Sequence, residues 1–274
     1  MAQFSTPTGL IANKGIELLT FGTPNGFKVA ILLEELKEAY GIEYTTQTID
    51  IYENVQKQAW YTKLSPNGRI PTIVDHDKGG YAVFEGAAIL NYLTRHYDPD
   101  YKFSFEDAFE ACTCEQWVAW LHAGLGPMQA QANFSYRFHP ERHPFHIQRF
   151  VGEVERNYGV LDARLADRDY IAGAGRGRYS IADIAVWPFA DVTEVGGVHL
   201  SKFPNVYAWW ERVWKRSAVK KGMCVPSGEP FRFGQAKMQE MKEADPKGWE
   251  EREGPLREAL KSAQKEFGYV YKSP

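Results

Sequence analysis

"TFGTPNGFKVAILLEEL", residues 20–36, passes from a short apolar run into a helical pattern through Gly22-Thr23-Pro24-Asn25-Gly26. Beyond Phe27, the residues Val29, Leu32, Leu33 and Leu36 recur at i, i+3, i+4 and i+7, the spacing of a helix with one buried face. The preceding run, 15–21, reads as a strand closed by turn residues. Gly41 stops the helix, and the β-branched and aromatic run 42–51 reads as a second strand. Strand, helix and strand at this spacing make a βαβ unit. Its turn exposes an amide, Asn25, where no Ser, Cys or His nucleophile stands.

Outward from this unit, "NVQKQAWYTKL" (54–64) suits a short helix. Strands are expected at 70–74 and 81–84, joined through Gly79-Gly80 as an antiparallel hairpin, with a helix from about Gly86. The order βαβ, α, ββα over 16–97 is that of a thioredoxin-like domain. A linker at 98–105 carries Pro99, and Ser104 with Asp107 reads as a capping box opening the next helix. Helices are then expected at 106–125, 146–166, 181–195 and 205–219, with Ser180 and Asp183 as a second capping box. The fold class is therefore α/β plus all-α, with an all-helical domain at 106–225. Residues 1–15 read as a loose tail and 226–274 as a charged extension that is partly disordered or holds one or two solvated helices.

At 274 residues, 44% hydrophobic and 14% aromatic, the chain can fill a core. A net charge of −3 gives no global attraction to nucleic acid or anionic membrane. No run approaches the roughly 20 apolar residues of a membrane span. The first fifteen residues lack the pattern of a targeting peptide, and three cysteines cannot build a disulfide framework. The cytoplasm is the expected compartment. No metal is expected. Pro140 and Pro144 interrupt the helix that would align His139, His143 and His146, and Cys112 and Cys114 point roughly 200° apart on a helix.

"TPNGFKVAILLEEL", "SPNGRIPTIVDH", "FEGAAILNYL" and "YSIADIAVWP", in this order, resemble the glutathione transferase superfamily, and within it the fungal and bacterial nu-type branch. The resemblance covers about 16–225. It implies a homodimer with glutathione as cosubstrate and active sites near the interface. The activity implied is transfer of the glutathione thiol to a small electrophile, or its use in reducing disulfides or peroxides. Two alternatives stay open: a secondary-metabolism enzyme of isomerase or cyclase type, and a regulator that has lost turnover.

The residues fit that chemistry. Pro71 before a strand suits a cis turn that leaves the backbone of Ile70 unpaired, where a peptide adds as a strand; the resemblance implies that Ile70 contacts the cysteine of glutathione. Glu85 and Gly86, at a strand end and a helix start, suit the ammonium and carboxylate of its γ-glutamyl group. Relatives usually carry Ser at the position of Gly86. Losing that hydroxyl is worth about 1.5–3 kcal/mol, so Gly86→Ser is expected to tighten binding. Gln56 and Arg69 match positions that contact the tripeptide, Gln56 at its glycine end. Asn25 is the expected catalytic residue. A thiol of pKa near 8.5 is mostly protonated at neutral pH, and lowering it two units takes about 2.7 kcal/mol. An amide donor plus a helix start supply that, with Gly26 leaving room for the sulfur and Thr23 as reserve donor. Phe27, Trp120, His122, Met128, Asn133, Phe134 and Tyr136 are the expected lining of the second-substrate pocket.

Overall fold

A computed structural model of the chain describes residues 8–268. The expected tail at 1–15 lies partly outside this range. The first element, β1 (Ile16–Thr20), leads into α1 (Pro24–Tyr40) and β2 (Tyr44–Thr48), and β1 and β2 pair in parallel. After α2 (Ala59–Leu64) come β3 (Thr72–Asp75), β4 (Tyr81–Phe84) and α3 (Gly86–Tyr97). The sheet order is β2-β1-β3-β4, with β3 antiparallel to both neighbours. This is a mixed four-stranded sheet with helices, followed by a helical domain. The ladder of β3 begins at Thr72, so Ile70 precedes the strand, and the Ile70–Pro71 bond is cis.

Thr23 caps α1, its hydroxyl accepting from the Gly26 N–H at 3.3 Å. Pro24 occupies the first turn, where its missing N–H costs nothing, and Gly41 ends the helix in the left-handed conformation. The single buried face expected of α1 is too narrow a description. Every residue from Gly26 to Leu33 is buried, because α1 shares one apolar cluster with Ile16, Leu18 and Ile73 of the sheet and also packs on the helical domain. The first half of α1 is thus covered all round, while Lys37 and Glu38 near its end are exposed. Glu35 on α1 takes a two-pronged ion pair from Arg216, at 2.6 and 2.7 Å.

The helical domain comprises α4 (Ala108–Trp120), α5 (Gly126–Asn133), α6 (Pro144–Leu165), α7 (Ile181–Asp191), α8 (Pro204–Trp214) and α9 (Ser217–Gly222). Ser104 does not cap α4: its hydroxyl bonds Asp98, and Asp107 itself is the cap, accepting from the N–H groups of Phe109 and Glu110. Helical backbone also continues past 125. One π-helical turn, Leu121–Leu125, joins α4 and α5 into one run, and a second, Phe134–Phe138, extends it beyond α5. The first precedes Gly126-Pro127, where a proline has no N–H to give and its ring crowds the turn before it, so the helix widens. At α7 the expected capping box is present, and buried Asp183 also accepts from Ile171 N–H and the Trp209 indole.

Residues beyond Pro226 form α10 (Gln235–Ala244) and α11 (Pro246–Phe267). They are more than solvated helices. Met238 and Trp249 pack on Val192 and Val195, α11 lies along α6, and Glu253 pairs with Arg137. Among the described residues no helix is long and apolar enough to cross a membrane.

Candidate functional site

Asn25, Gln56, Arg69, Ile70, Glu85 and Gly86 line one cleft of about 730 Å³. Asn25 is exposed in the first turn of α1, and its Oδ1 accepts from Lys28 Nζ at 2.9 Å. That bond fixes the amide and leaves the two Nδ2 protons to donate into the cleft. Gln56 is buried, with Nε2 on the Ile51 carbonyl and Oε1 without a partner, an acceptor that a bound peptide would satisfy. Glu85, at φ 68° before α3, accepts from Asn67 Nδ2 at 3.1 Å. Gly86 opens α3, whose first N–H groups have no helical partner. Arg69 is exposed at the rim.

Three findings alter the expected chemistry. Gly26 does not make room for a sulfur. Its place is tight because a Cβ there would lie 2.3 Å from the Phe21 carbonyl oxygen, so it serves the approach of α1 to β1. Lys28, one residue past Phe27, is only 1% exposed and borders the cleft. Burial lowers its pKa to about 7 against an upward pull from Glu85. His122, expected in the second-substrate pocket, belongs to this cleft, with Nε2 at 2.8 Å from Lys28 Nζ. Its Nδ1 faces the Val118 carbonyl at 2.7 Å. A carbonyl only accepts, so Nδ1 carries the proton and Nε2 accepts from lysine. Burial, then the Lys28 charge, lower the imidazole pKa to about 4.

A second cleft of about 670 Å³ adjoins the first, sharing Thr23 and Tyr52. Phe21, Phe138, Phe231 and Phe233 give it an apolar wall, and Asn133 adds an amide whose Oδ1 is buried without a partner. Of the residues expected here, only Asn133 lines it. Phe27 is 1% exposed and stacks edge-on behind Phe231, at 5.1 Å between ring centres. Trp120 and Met128 pack on the core, Phe134 is an exposed neighbour of His139, and Tyr136 is buried beside the cavity under α10 and α11. Helical periodicity does not tell a core-facing ring from a cleft-facing one, hence these corrections. The pair Phe231 and Phe233, within an otherwise charged segment, was the available signal for the wall of this cleft. Lys28 had one too, a lone charge inside an apolar run.

The imidazoles of His139, His143 and His146 lie 5.3 and 5.5 Å apart in sequence, and no group able to hold a metal is present among the described residues. Cys112 is exposed, Cys114 is buried, and none of the three cysteines borders either cleft.

The descriptions "Glutathione S-transferase, N-terminal domain" and "Glutathione S-transferase, C-terminal domain" match residues 23–96 and 145–217. The chain is 34% identical over 212 residues to the disulfide-bond oxidoreductase YfcG of Escherichia coli, covering 76% of this chain and 94% of that protein. It is similar to the structure of a glutathione transferase homologue from Lodderomyces elongisporus with two glutathione molecules per subunit. There the TM-score is 0.72 and the identity 34%, over 78% of this chain and 99% of that one. Ure2p, the yeast prion protein, in complex with S-hexylglutathione gives a TM-score of 0.72 at 29% identity, covering 78% of this chain and all (100%) of that one.

Proposed function

The chain belongs to the glutathione S-transferase family, on the branch of Ure2p, and from that premise we propose that it activates the thiol of glutathione and transfers it to a small apolar electrophile. The carrying observation is the Asn25 amide in the polar cleft, fixed through Oδ1 so that Nδ2 is left to donate, two residues from Thr23, which both clefts share. Glutathione fits the polar cleft with its γ-glutamyl ammonium on Glu85, its backbone along Ile70, and its glycine end toward Gln56 and Arg69. The sulfur then lies at the start of α1, where the amide and the helix N-terminus favour the thiolate. The thiolate attacks an electrophilic carbon held among Phe21, Phe138 and Phe233, a carbon–sulfur bond forms, and the leaving group departs with its electron pair.

Disulfide reduction is the second reading. With no cysteine bordering either cleft, the exchange would run on glutathione alone. One thiolate opens the disulfide, and a second glutathione resolves the mixed disulfide to glutathione disulfide and free thiol. A second copy of the chain is the proposed partner. Tyr81 and Phe84 on β4 and Phe109 on α4 leave large rings exposed, a surface that self-association covers.

The test compares wild type with Asn25→Ala using glutathione and either a chlorodinitrobenzene or a small disulfide, following the ultraviolet absorbance of the bound thiolate. The expected result is a raised thiol pKa and roughly 10–100-fold lower kcat/KM with little change in glutathione affinity. An unchanged thiol pKa in the variant overturns the role of Asn25.

A further inference from the structure

Gly86 and Lys28 compete for one place. A Cβ on residue 86 would lie 2.4 Å from Lys28 Cε and 2.7 Å from Lys28 Nζ, and 3.2 Å from His122 Nε2. The missing side chain therefore makes the space into which the lysine extends. The ammonium donates to Asn25 Oδ1 and His122 Nε2, both uncharged, and its third N–H has no acceptor among the described residues. No carboxylate bonds it. A buried cation bonded only by neutral acceptors, with an open third donor beside the first N–H groups of α3, lacks a bonded counter-charge, and Glu85 acts on it only through space.

We propose that Lys28 supplies the principal contact for the α-carboxylate of the γ-glutamyl group, with Asn25 and His122 positioning its ammonium beside the Gly86 N–H. This deepens the glutathione reading above and rests on it. The ligand's two opposite charges are thereby read by two residues: its ammonium by Glu85, which Asn67 orients, and its carboxylate by Lys28. The site selects an amino acid–terminated ligand bearing both groups. On this reading Gly86→Ser does not tighten binding as the sequence led one to expect, since a hydroxyl-bearing side chain there would displace the lysine that does the same work.

The anchor is pH-sensitive. The titratable groups acting on Lys28 are Glu85, which favours its charge, and His122, which is neutral and accepts from it; α7 presents only the Phe189 ring, 5.6 Å away. Burial holds free Lys28 near pKa 7. A carboxylate arriving beside it restores the proton, so binding above neutral pH takes up one proton and weakens as pH rises.

The experiment is calorimetric titration with S-methylglutathione, whose sulfur cannot ionise, and with its analogue lacking the α-carboxylate, S-methyl-(4-aminobutyryl)cysteinylglycine. Wild type, Lys28→Met, Gly86→Ser and the double variant are compared, with melting curves confirming the fold. For Lys28→Met the expected result is roughly 10–100-fold weaker binding of S-methylglutathione, a flattened pH profile and no proton uptake, with affinity for the analogue unchanged. In the Gly86→Ser background the same Lys28 substitution is expected to cost much less, because the lysine is already displaced. Equal losses for both ligands, or none for either, overturn the proposal. A wild-type protein that ignores S-methylglutathione at millimolar concentration overturns the glutathione reading itself, and this inference falls with it.

Discussion

The guanidinium of Arg137, in the π-helical turn after α5, grips the carboxylate of Glu253 on α11 with two bonds of 2.7 and 2.8 Å. Its Nε also bonds the Val195 carbonyl at 3.1 Å. Both side chains are largely shielded, with 13% and 11% exposure. One arginine thus ties the C-terminal extension to the helical domain behind the apolar cleft.

Breaking that pair from one side leaves a shielded carboxylate alone, which costs about 3 kcal/mol or more. Arg137→Met is expected to loosen α10 and α11 and so expose the segment after Pro226 to limited proteolysis. The double variant Arg137→Met/Glu253→Leu recovers much of the loss. Proteolysis rates and melting curves of the three proteins check this, and equal resistance in all three refutes the clasp.

Phe233 faces the apolar cleft and meets Phe138 at 6.1 Å between ring centres. Truncating it removes apolar contact from one cleft only. Phe233→Ala is expected to raise KM for an apolar electrophile about 5–30-fold, as a loss of roughly 1–2 kcal/mol dictates, with KM for glutathione held within about two-fold. Parallel rises in both constants would place the electrophile elsewhere.

Gly26 is a packing test independent of catalysis. A methyl group there would meet the Phe21 carbonyl oxygen at 2.3 Å and Thr20 Oγ1 at 2.4 Å, so α1 must shift off β1. Gly26→Ala is expected to cost about 1–3 kcal/mol, or several degrees of Tm in a chain of this size. A melting curve within about a degree of wild type would contradict the contact.

Asp191 gives a pH signature. Burial pushes its carboxyl up to about 7, against downward pulls from the Trp210 indole and the Gln235 backbone N–H at the start of α10. A raised carboxyl pKa means that the folded state holds this proton where the unfolded chain has released it. Its contribution to stability therefore falls as pH rises from about 4 to about 7. Asp191→Asn cannot titrate, so its Tm relative to wild type is expected to climb over that interval, by about 2–4 °C per kcal/mol regained. A Tm difference independent of pH would show that the carboxyl titrates normally.

The strand, turn and helix around Asn25, the hairpin after Pro71 and the start of α3 at Gly86 were legible because each rests on local rules: periodicity, turn chemistry and capping. Ser104 misled, since its Asp107 spacing fits a capping box while its hydroxyl in fact serves Asp98 across the linker. The six expected residues of the polar cleft could be read because they sit in short turns or at element ends, whose direction the backbone fixes. The apolar cleft could not. Its rings come from the residue after β1, the turn after α5 and a segment nearly a hundred residues later, and only packing sets which face is open.

By itself the sequence determined the mixed sheet, the helical domain and the place of an amide at the first turn of α1, because those follow from interactions between residues close in the chain. Only the tertiary structure decided that Lys28 lies buried against His122 in the space left by Gly86, and that the extension closes the apolar cleft with Phe231 and Phe233. Those relations join residues 58 to more than 200 positions apart, by arithmetic on their numbers. They depend on shape and on the removal of charge from water, which no local pattern records.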